Sequence, residues 1–478
     1  MVLVISTING TEDADGISSG FLTLDDKLLS STYGGDDQVD VFSPAYRVNL
    51  GDGDDRMSAG GSGGSAYGGN GDDRLTAFLW IDAHNHYGGN GNDSLFSSAS
   101  DITSSYNGYG GAGLDIFYLD NDLLSSRNLD GGAGYDLAFY NSDIDKVMAL
   151  GGTGGPAGAS NIAFGSIEAA VSGAGNDSLY GGSGNNLLVG GHGNDILFGQ
   201  GGDDFLVGEA RDIAFATAFM GININFNPAE AFDPLNAIIG GSYASESGGT
   251  NDTLYGGSGN DVLSGGDGAD VLDGGNGRDW VTYLSSPEGL GVVVNLATGG
   301  TAGHAAGDTY VSIENAQGSN SHDTLTGTDA ANELRGMYGA ELLTGREGYD
   351  TLNGAQGQDT LHGGKDSDLL TGGDSEDVFV FAGAGTLQSI DTITDFEVNF
   401  DEIQLSAAIF RKMGPLGALN AERFALGSAT EADDRIIYDP TTGALFYDAD
   451  GKKAGLAVQF ALLDTDLALT ADDFVIIG

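Results

Sequence analysis

A chain of 478 residues with 83 glycines, 7 prolines, no cysteine and 70 acidic against 17 basic residues carries a formal charge of −53. That balance excludes a nucleic-acid partner, since phosphate is held by Lys and Arg, and the lack of cysteine excludes a disulfide framework and thiolate metal sites. A fold of such charge repels itself unless cations bind, so the composition describes a chain of one to three domains that orders when divalent ions arrive.

The N-terminus, MVLVISTING, has a short apolar run without a basic flank, unlike a Sec signal peptide. No stretch holds the roughly 18 consecutive apolar residues of a membrane span. Acids then recur at near-regular intervals: Asp15, Asp37, Asp55, Asp73, Asp93, Asp115 and Asp136 are separated by 22, 18, 18, 20, 22 and 21 residues. This spacing predicts a solenoid with metal turns on one side, the other side carrying irregular loops such as WIDAHNHY at 80–87. His84 and His86 would share a face of a strand as a transition-metal pair, but the segment reads better as a solvated loop.

Three arrays follow in which a glycine cluster and an acid recur every nine residues. The first covers 172–207 (GGSGNNLLVGGHGNDILFG), the second 247–282 (GGSGNDVLSGGDGADVLDGGNGRDWVT), and the third advances from Gly318 through Gly327, Gly336, Gly345, Gly354, Gly363 and Gly372. The unit is G-G-x-G-x-D-x-U-x with U apolar, and the strict hexad occurs eight times in the chain. Nine is neither a helical nor a simple strand period. Glycines allow positive φ and close backbone approach, so six residues form a tight turn; the remaining three form a short strand whose middle residue points inward. Two units make an 18-residue coil, and stacked coils place parallel strands about 4.8 Å apart. Leu352, Leu361 and Leu370 then line the interior, while Asp359 lies over Asp377 and Asp350 over Asp368. Carboxylates stacked so closely must share a cation, and carboxylate plus turn carbonyls are hard oxygen ligands suited to Ca2+.

The unit resembles the RTX (repeats in toxin, haemolysin-type) nonapeptide. The resemblance and the turn geometry together imply calcium ligands at Asp177, Asp195, Asp204, Asp252, Asp261, Asp270, Asp279, Asp323, Asp350, Asp359, Asp368 and Asp377, besides the seven N-terminal aspartates. Turn residues expected to contribute are Gly181, Ser183, Gly190, Gly191, Gly193, Gly256, Gly257, Ser258, Gly259, Gly265, Gly266, Asp267, Gly268, Gly274, Asn276 and Gly277. Asn186, Asn332 and Glu341 replace the acid of the sixth position, so their turns are expected to bind weakly or not at all.

Longer segments interrupt the arrays at 139–176, 212–251 and 283–322, and look like copies of one another: FGSIEAAVSGAGND and VSIENAQGSNSHD. They read as longer coils, with a short helix over 228–237. Beyond Val380 the repeat stops. The segment that follows resembles the cap behind RTX arrays in type I secreted proteins. DDRIIYDPTTGALFYDADGKKAGLAVQFALL reads as two or three antiparallel strands joined at Asp439-Pro440-Thr441-Thr442-Gly443 and Asp450-Gly451. The end, DDFVIIG, is similar to the terminal motif of substrates of type I (ABC-transporter) secretion, and is expected to be an export address whose removal leaves folding intact.

Chemistry is conspicuous by subtraction. No H-E-x-x-H is present, and the G-x-S-x-G at 60–64 is a degenerate repeat turn, not a nucleophile elbow. The sequence thus implies an all-β chain: a parallel β-roll or β-solenoid with an antiparallel β cap. Its parts are an N-terminal solenoid with a one-sided ladder (1–171), arrays with longer coils (172–380), and a cap and secretion domain (381–478). The implied function is a secreted, calcium-dependent structural protein of a bacterial surface or matrix, not an enzyme. It would be exported by type I machinery and self-assemble into a surface polymer or lattice. Repeats that begin by Gly10 leave no room for a preceding catalytic module. The alternative is a carbohydrate-active lyase or epimerase working on a solenoid face, which would need clustered basic and acidic residues on consecutive coils.

Overall fold

A computed structural model describes residues 35–478 except 43–45, 62, 80–82, 100–104, 121–125, 142–146, 151–161, 210–249, 288, 384 and 452–456, together with strands Ile8–Asn9, Gly16–Ser18 and Leu28–Ser31. Asp15 and the helix expected over 228–237 lie outside the described residues, as does most of the segment 212–251. The chain divides into two compact units, Met1–Gly265 and Gly266–Gly478.

In the first unit, strands Tyr46–Asp52, Gly64–Asn70, Ala83–Asn90, Ser105–Ala112 and Ser126–Ala133 stack in parallel. Strands Gln38–Phe42, Arg56–Gly61, Arg74–Leu79, Ser94–Ala99, Ile116–Asp120 and Leu137–Asn141 form a second parallel stack. Val39 and Met57 of one stack and Val48 and Ala66 of the other share one buried core. Further along, Ser178–Tyr180, Ile196–Gly201 and Thr253–Ser258 pair in parallel, as do Leu187–Gly191, Phe205–Glu209 and Val262–Ser264. The acid turns from Asp55 to Asp136 therefore each lie between an outgoing and a returning strand of the same coil.

The glycines make this stacking possible. Gly71 has φ +123°, and a Cβ there would strike the carbonyl oxygen of Gly53 one coil away. Only a residue without a side chain permits turns to approach at strand spacing.

The interior of these coils is not purely apolar. His84 and His86 lie on the strand Ala83–Asn90 and are fully buried, which corrects the solvated-loop reading. Tyr46, two coils away, passes over Gly64 and places its hydroxyl 2.9 Å from His84 Nδ1 and 3.1 Å from His86 Nε2. A hydroxyl that both donates and accepts bridges two neutral imidazoles. Burial holds His86 neutral, its pKa lowered to about 3 with His84 adding to the effect.

In the second unit, Thr324–Thr326, Leu342–Arg346, Thr360–Gly364 and Val378–Phe381 form one parallel stack. Asn315–Gln317, Glu333–Gly339, Thr351–Gly357 and Leu369–Asp374 form another. Leu325, Leu343, Leu361 and Phe379 fall in one column, and Leu334, Leu352 and Leu370 in the other; each is at most 1% exposed. The expected inward position U is thus observed. The segment 283–322 continues the coils as expected, through Val293–Asn295, Thr309–Val311 and Asn315–Gln317.

The cap contains the expected antiparallel strands, Ile436–Asp439, Ala444–Tyr447 and Val458–Leu462. Phe474–Ile477 pairs in parallel with Glu402–Ser406 and antiparallel with Gly417–Ala418, and Phe474 and Ile476 are buried. The last strand is therefore part of the cap's sheet as well as the end of the chain, and its loss would expose the edge of Glu402–Ser406.

Candidate metal centre

The sixth-position acids are joined by a hydrogen-bond ladder that uses one carboxylate oxygen each. The Asp55 amide donates to Asp73 Oδ1 (2.9 Å), Asp73 to Asp93 (2.8 Å), Asp93 to Asp115 (2.9 Å) and Asp115 to Asp136 (2.8 Å). Asp37 begins this run by donating to Asp55 (2.7 Å). Further along the first unit, Asp177 donates to Asp195, Asp195 to Asp252 and Asp204 to Asp261, each at 2.7 Å. In the second unit Asp350 donates to Asp368 (2.9 Å) and Asp359 to Asp377 (2.8 Å).

The other oxygen decides the chemistry. Oδ2 of Asp55, Asp73, Asp93, Asp115, Asp136 and Asp204 in the first unit, and of Asp350, Asp359, Asp368 and Asp377 in the second, is buried and accepts no hydrogen bond. Beside Oδ2 of Asp73, Asp93, Asp115, Asp136, Asp204, Asp350 and Asp359 lies a carbonyl oxygen. A Cβ on Gly88 would fall between Asp93 Oδ2 and the Gly110 carbonyl oxygen, and one on Gly354 between Asp359 Oδ2 and the Gly372 oxygen. The same cradle recurs at Gly68, Gly110, Gly199 and Gly345. A carboxylate oxygen and a carbonyl oxygen turned toward one small buried space repel each other unless a cation lies between them.

Burial accordingly pushes these carboxyls up. Asp73 rises to about 8, opposed by the Asp55 amide and raised further by the charges of Asp93 and Asp55. Asp93, Asp115, Asp136, Asp350 and Asp377 rise to about 7, and Asp204, Asp252 and Asp368 to about 8, burial being the main cause throughout. Among the described residues no three carboxylates, imidazoles or thiols converge as in a side-chain cage. The available donors are one carboxylate and backbone carbonyls per turn, a hard-oxygen set that fits Ca2+ and does not fit zinc.

Some expected positions depart from the pattern. Asn186 accepts from the Gly182 amide (2.7 Å) and donates to the Glu168 carbonyl; Asn332 accepts from Thr328 and donates to the Glu314 carbonyl (2.6 Å). In both, the side-chain NH2 reaches the carbonyl of the ladder glutamate one coil before, and the Oδ1 that stands in the cradle already accepts a backbone amide. Asp323, expected as a ligand, has both oxygens engaged, by Val292 N, Ser319 N and Ser319 Oγ. Of the expected carbonyl donors, Gly181 accepts from Gln200 Nε2 and Gly190 from Ser172 Oγ. Glu341, expected to bind poorly, instead presents two buried oxygens without partners, and burial beside Asp359 pushes it up to about 9. Gly191, Gly193, Gly257, Gly259, Gly266, Gly268 and Gly277 all have positive φ, as turn residues of the unit must.

The structure adds ladder residues that the period does not reveal. Glu168 receives the Asp136 amide, Glu314 the Asp279 amide and Asp308 the Asp270 amide, each at 2.9 Å. Asp391 and Asp401 carry the ladder into the cap from Asp368 and Asp377. At Asp308 the Tyr283 hydroxyl donates to Oδ2 at 2.6 Å, doing with a proton what a cation would do elsewhere. The SIE of the two sequence copies is the signal for the two glutamates; Asp308 has only the dipeptide Gly307-Asp308. A second ladder runs the opposite way through the fifth position: Asp54 donates to Asp36, Asp72 to Asp54 and Asn92 to Asp72.

Comparison with known proteins agrees with this geometry. The family model described as RTX calcium-binding nonapeptide repeat (4 copies) matches residues 171–206 and 246–281. The chain carries RTX calcium-binding repeats. The model described as Peptidase M10 serralysin C terminal matches residues 292–435. RTX repeats followed by this C-terminal domain mark a type I secreted, calcium-binding protein. Among the described residues no helix is long and apolar enough to cross a membrane. No curated protein matches the chain. Among solved structures, extracellular lipase LipA from Serratia marcescens is similar at 16% identity with a TM-score of 0.22, over 63% of this chain. The match spans 40% of the lipase chain.

Proposed function

We propose that the protein is a secreted, Ca2+-dependent structural component of a bacterial surface or extracellular matrix that assembles with copies of itself. Asp55, Asp73, Asp93, Asp115, Asp136, Asp204, Asp350, Asp359, Asp368 and Asp377 would each give Ca2+ one carboxylate oxygen, with turn carbonyls completing the sites. The observation that carries this reading is the orphaned buried oxygen repeated through both units. Coils whose acid turns need cations are the bulk of both units, so folding itself is the calcium-dependent event. Extracellular calcium modules bind at roughly 10⁻⁴ to 10⁻³ M, so the chain stays loose where calcium is scarce and orders once exported. Negative-stain microscopy of the purified chain is the test. Ordered assemblies in millimolar Ca2+ and none in EGTA are expected; dispersed monomers under both conditions reject the scaffold role.

A further inference from the structure

The outward face of the strands Tyr46–Asp52 to Ser126–Ala133 is built from columns of like side chains. Tyr67, Tyr87 and Tyr109 are in register and stacked, with centroids 4.6 and 4.8 Å apart and planes within 3° and 6°. Beside them runs Arg47, Ser65, Asn85, Asn107 and Asn128, in which Asn107 donates to Asn85 at 2.7 Å. The Arg47 guanidinium closes one end of the stack, 5.3 Å from the Tyr67 ring, and Asn128 reaches the Tyr109 hydroxyl at the other. The ring faces are thus covered by one another, and the half-buried tyrosines offer solvent their edges and hydroxyls.

In a chain of net charge −53 this face is nearly neutral. Between Arg47 and Asp130 the two columns hold only Ser, Asn and Tyr, and a third at the strand ends runs Asp52, Asn70 and Asn90, with Asn70 donating to Asp52. A cationic partner finds no carboxylate row here, and an anionic polymer finds no cation row and is repelled by the rest of the molecule. The surface is a comb of hydroxyl and amide groups repeated at the strand spacing. Behind it, Tyr46, His84 and His86 lock the same strands in the core.

We propose that this face binds an extended, uncharged polysaccharide lying across the strands, along the stacking direction. Sugar hydroxyls would meet the asparagine amides and tyrosine hydroxyls, and sugar C–H groups the ring edges. Tyrosines are rigid, amphipathic contact residues that bind at low entropic cost, and asparagines add adaptable hydrogen bonding. A flat comb repeated coil by coil suits a polymer better than a single sugar. The proposal deepens the scaffold reading by naming its partner, yet the two fail separately: binding is measured on the purified chain, whatever its assembly on cells.

The test uses the full chain in millimolar Ca2+, with retention on insoluble β-1,4-glucan and affinity electrophoresis in soluble neutral β-glucans, and a polyuronate as the charged counterpart. Binding to a neutral glucan is expected, with at least tenfold loss in Y67S/Y87S/Y109S and a few-fold loss in Tyr87→Phe, which keeps the stack but removes one hydroxyl. Tyr255→Ser, in the separate Tyr180–Phe198–Tyr255 stack, is expected to bind like the parent. Circular dichroism confirms that each variant folds, and Tyr87→Phe serves should the triple variant not. Failure to bind any neutral glucan, preference for the polyuronate, or undiminished binding by Tyr87→Phe overturns the proposal. So does a fall in self-association, without sugar, on mutating the face, which would assign it to a second copy of the chain.

Discussion

The coils of residues 46–141 and those of residues 318–381 solve the same stacking problem with different periods. In the first region successive ladder acids are 18, 20, 22 and 21 residues apart. In the second they are 18 apart on each of two sides. The acid side is the same device in both: a glycine cradle, an amide-to-carboxylate bond and an orphan oxygen. The variation in length falls on the side that carries none of these ladder acids. Register must be kept only where a ladder has to close, so a one-sided coil tolerates insertions that a two-sided coil cannot absorb. The interiors differ accordingly, a column of leucines in the second region against His84, His86, Tyr46 and Tyr106 in the first.

Calcium removal should have the largest effect and separates the regions. In EGTA the β signal in circular dichroism is expected to collapse. Followed by hydrogen exchange as calcium is withdrawn, peptides from 318–381 should lose protection before those from 46–141, because cations must leave both sides. Protection of either region that survives EGTA unchanged breaks the argument.

Next in size are changes on the shared acid side. Gly88→Ala and Gly354→Ala each push a methyl into the space beside a ladder carboxylate, and should cost similar amounts, about 1–3 kcal/mol. Gly184→Ala, whose added Cβ meets nothing within 4 Å, is expected to be nearly neutral. Unequal costs at Gly88 and Gly354, read from calcium-saturated thermal melts, would mean the two acid sides are different devices.

Asp73→Asn and Asp359→Asn should be milder, raising the calcium midpoint several-fold and lowering the bound stoichiometry. An asparagine NH2 can donate to a backbone carbonyl of the adjacent coil, as Asn332 already does to Glu314. Isothermal titration showing unchanged stoichiometry for both would remove these residues from the sites.

The smallest effect is on pH. Asp73 and Asp368 at about 8 and Asp93 and Asp350 at about 7 lie above the ordinary 3.8. A carboxyl with a raised folded-state pKa holds its proton better when folded, so its contribution is complete below 3.8 and is lost as pH rises through 7 to 8. In EGTA, residual β structure should therefore be greater at pH 5 than at pH 8.5. In millimolar Ca2+ the sign reverses, since protons compete with the metal. A calcium-free chain that orders more at pH 8.5 contradicts the orphan-oxygen account.

The sequence revealed what is repeated and concealed what occurs once. Leu352, Leu361 and Leu370, and the stacking of Asp350 on Asp368, follow from a period of nine. Glu168, Glu314 and Asp308 were hidden because their ladder partners lie 32, 35 and 38 residues away, separations set by the longer coils. Asp323 looked like its neighbours, yet its oxygens go to Ser319 and Val292, a contact only the folded coil brings about. His84 and His86 were misread because polar side chains at inward strand positions mimic a loop. Their burial depends on Tyr46 arriving from two coils away. The tail showed its composition but not its partner, Glu402–Ser406.

The two ladders that run in opposite directions fix how such a chain can change in length. At each interface in residues 36–93, the sixth-position amide reaches forward to the next coil while the fifth-position amide reaches back. Cutting between two coils orphans groups on both faces, but excising one whole coil brings identical faces together. Duplication or loss of complete coils is therefore close to neutral, and of partial coils ruinous. A gene for such a protein should expand and contract in quanta, copy number drifting while phase is kept.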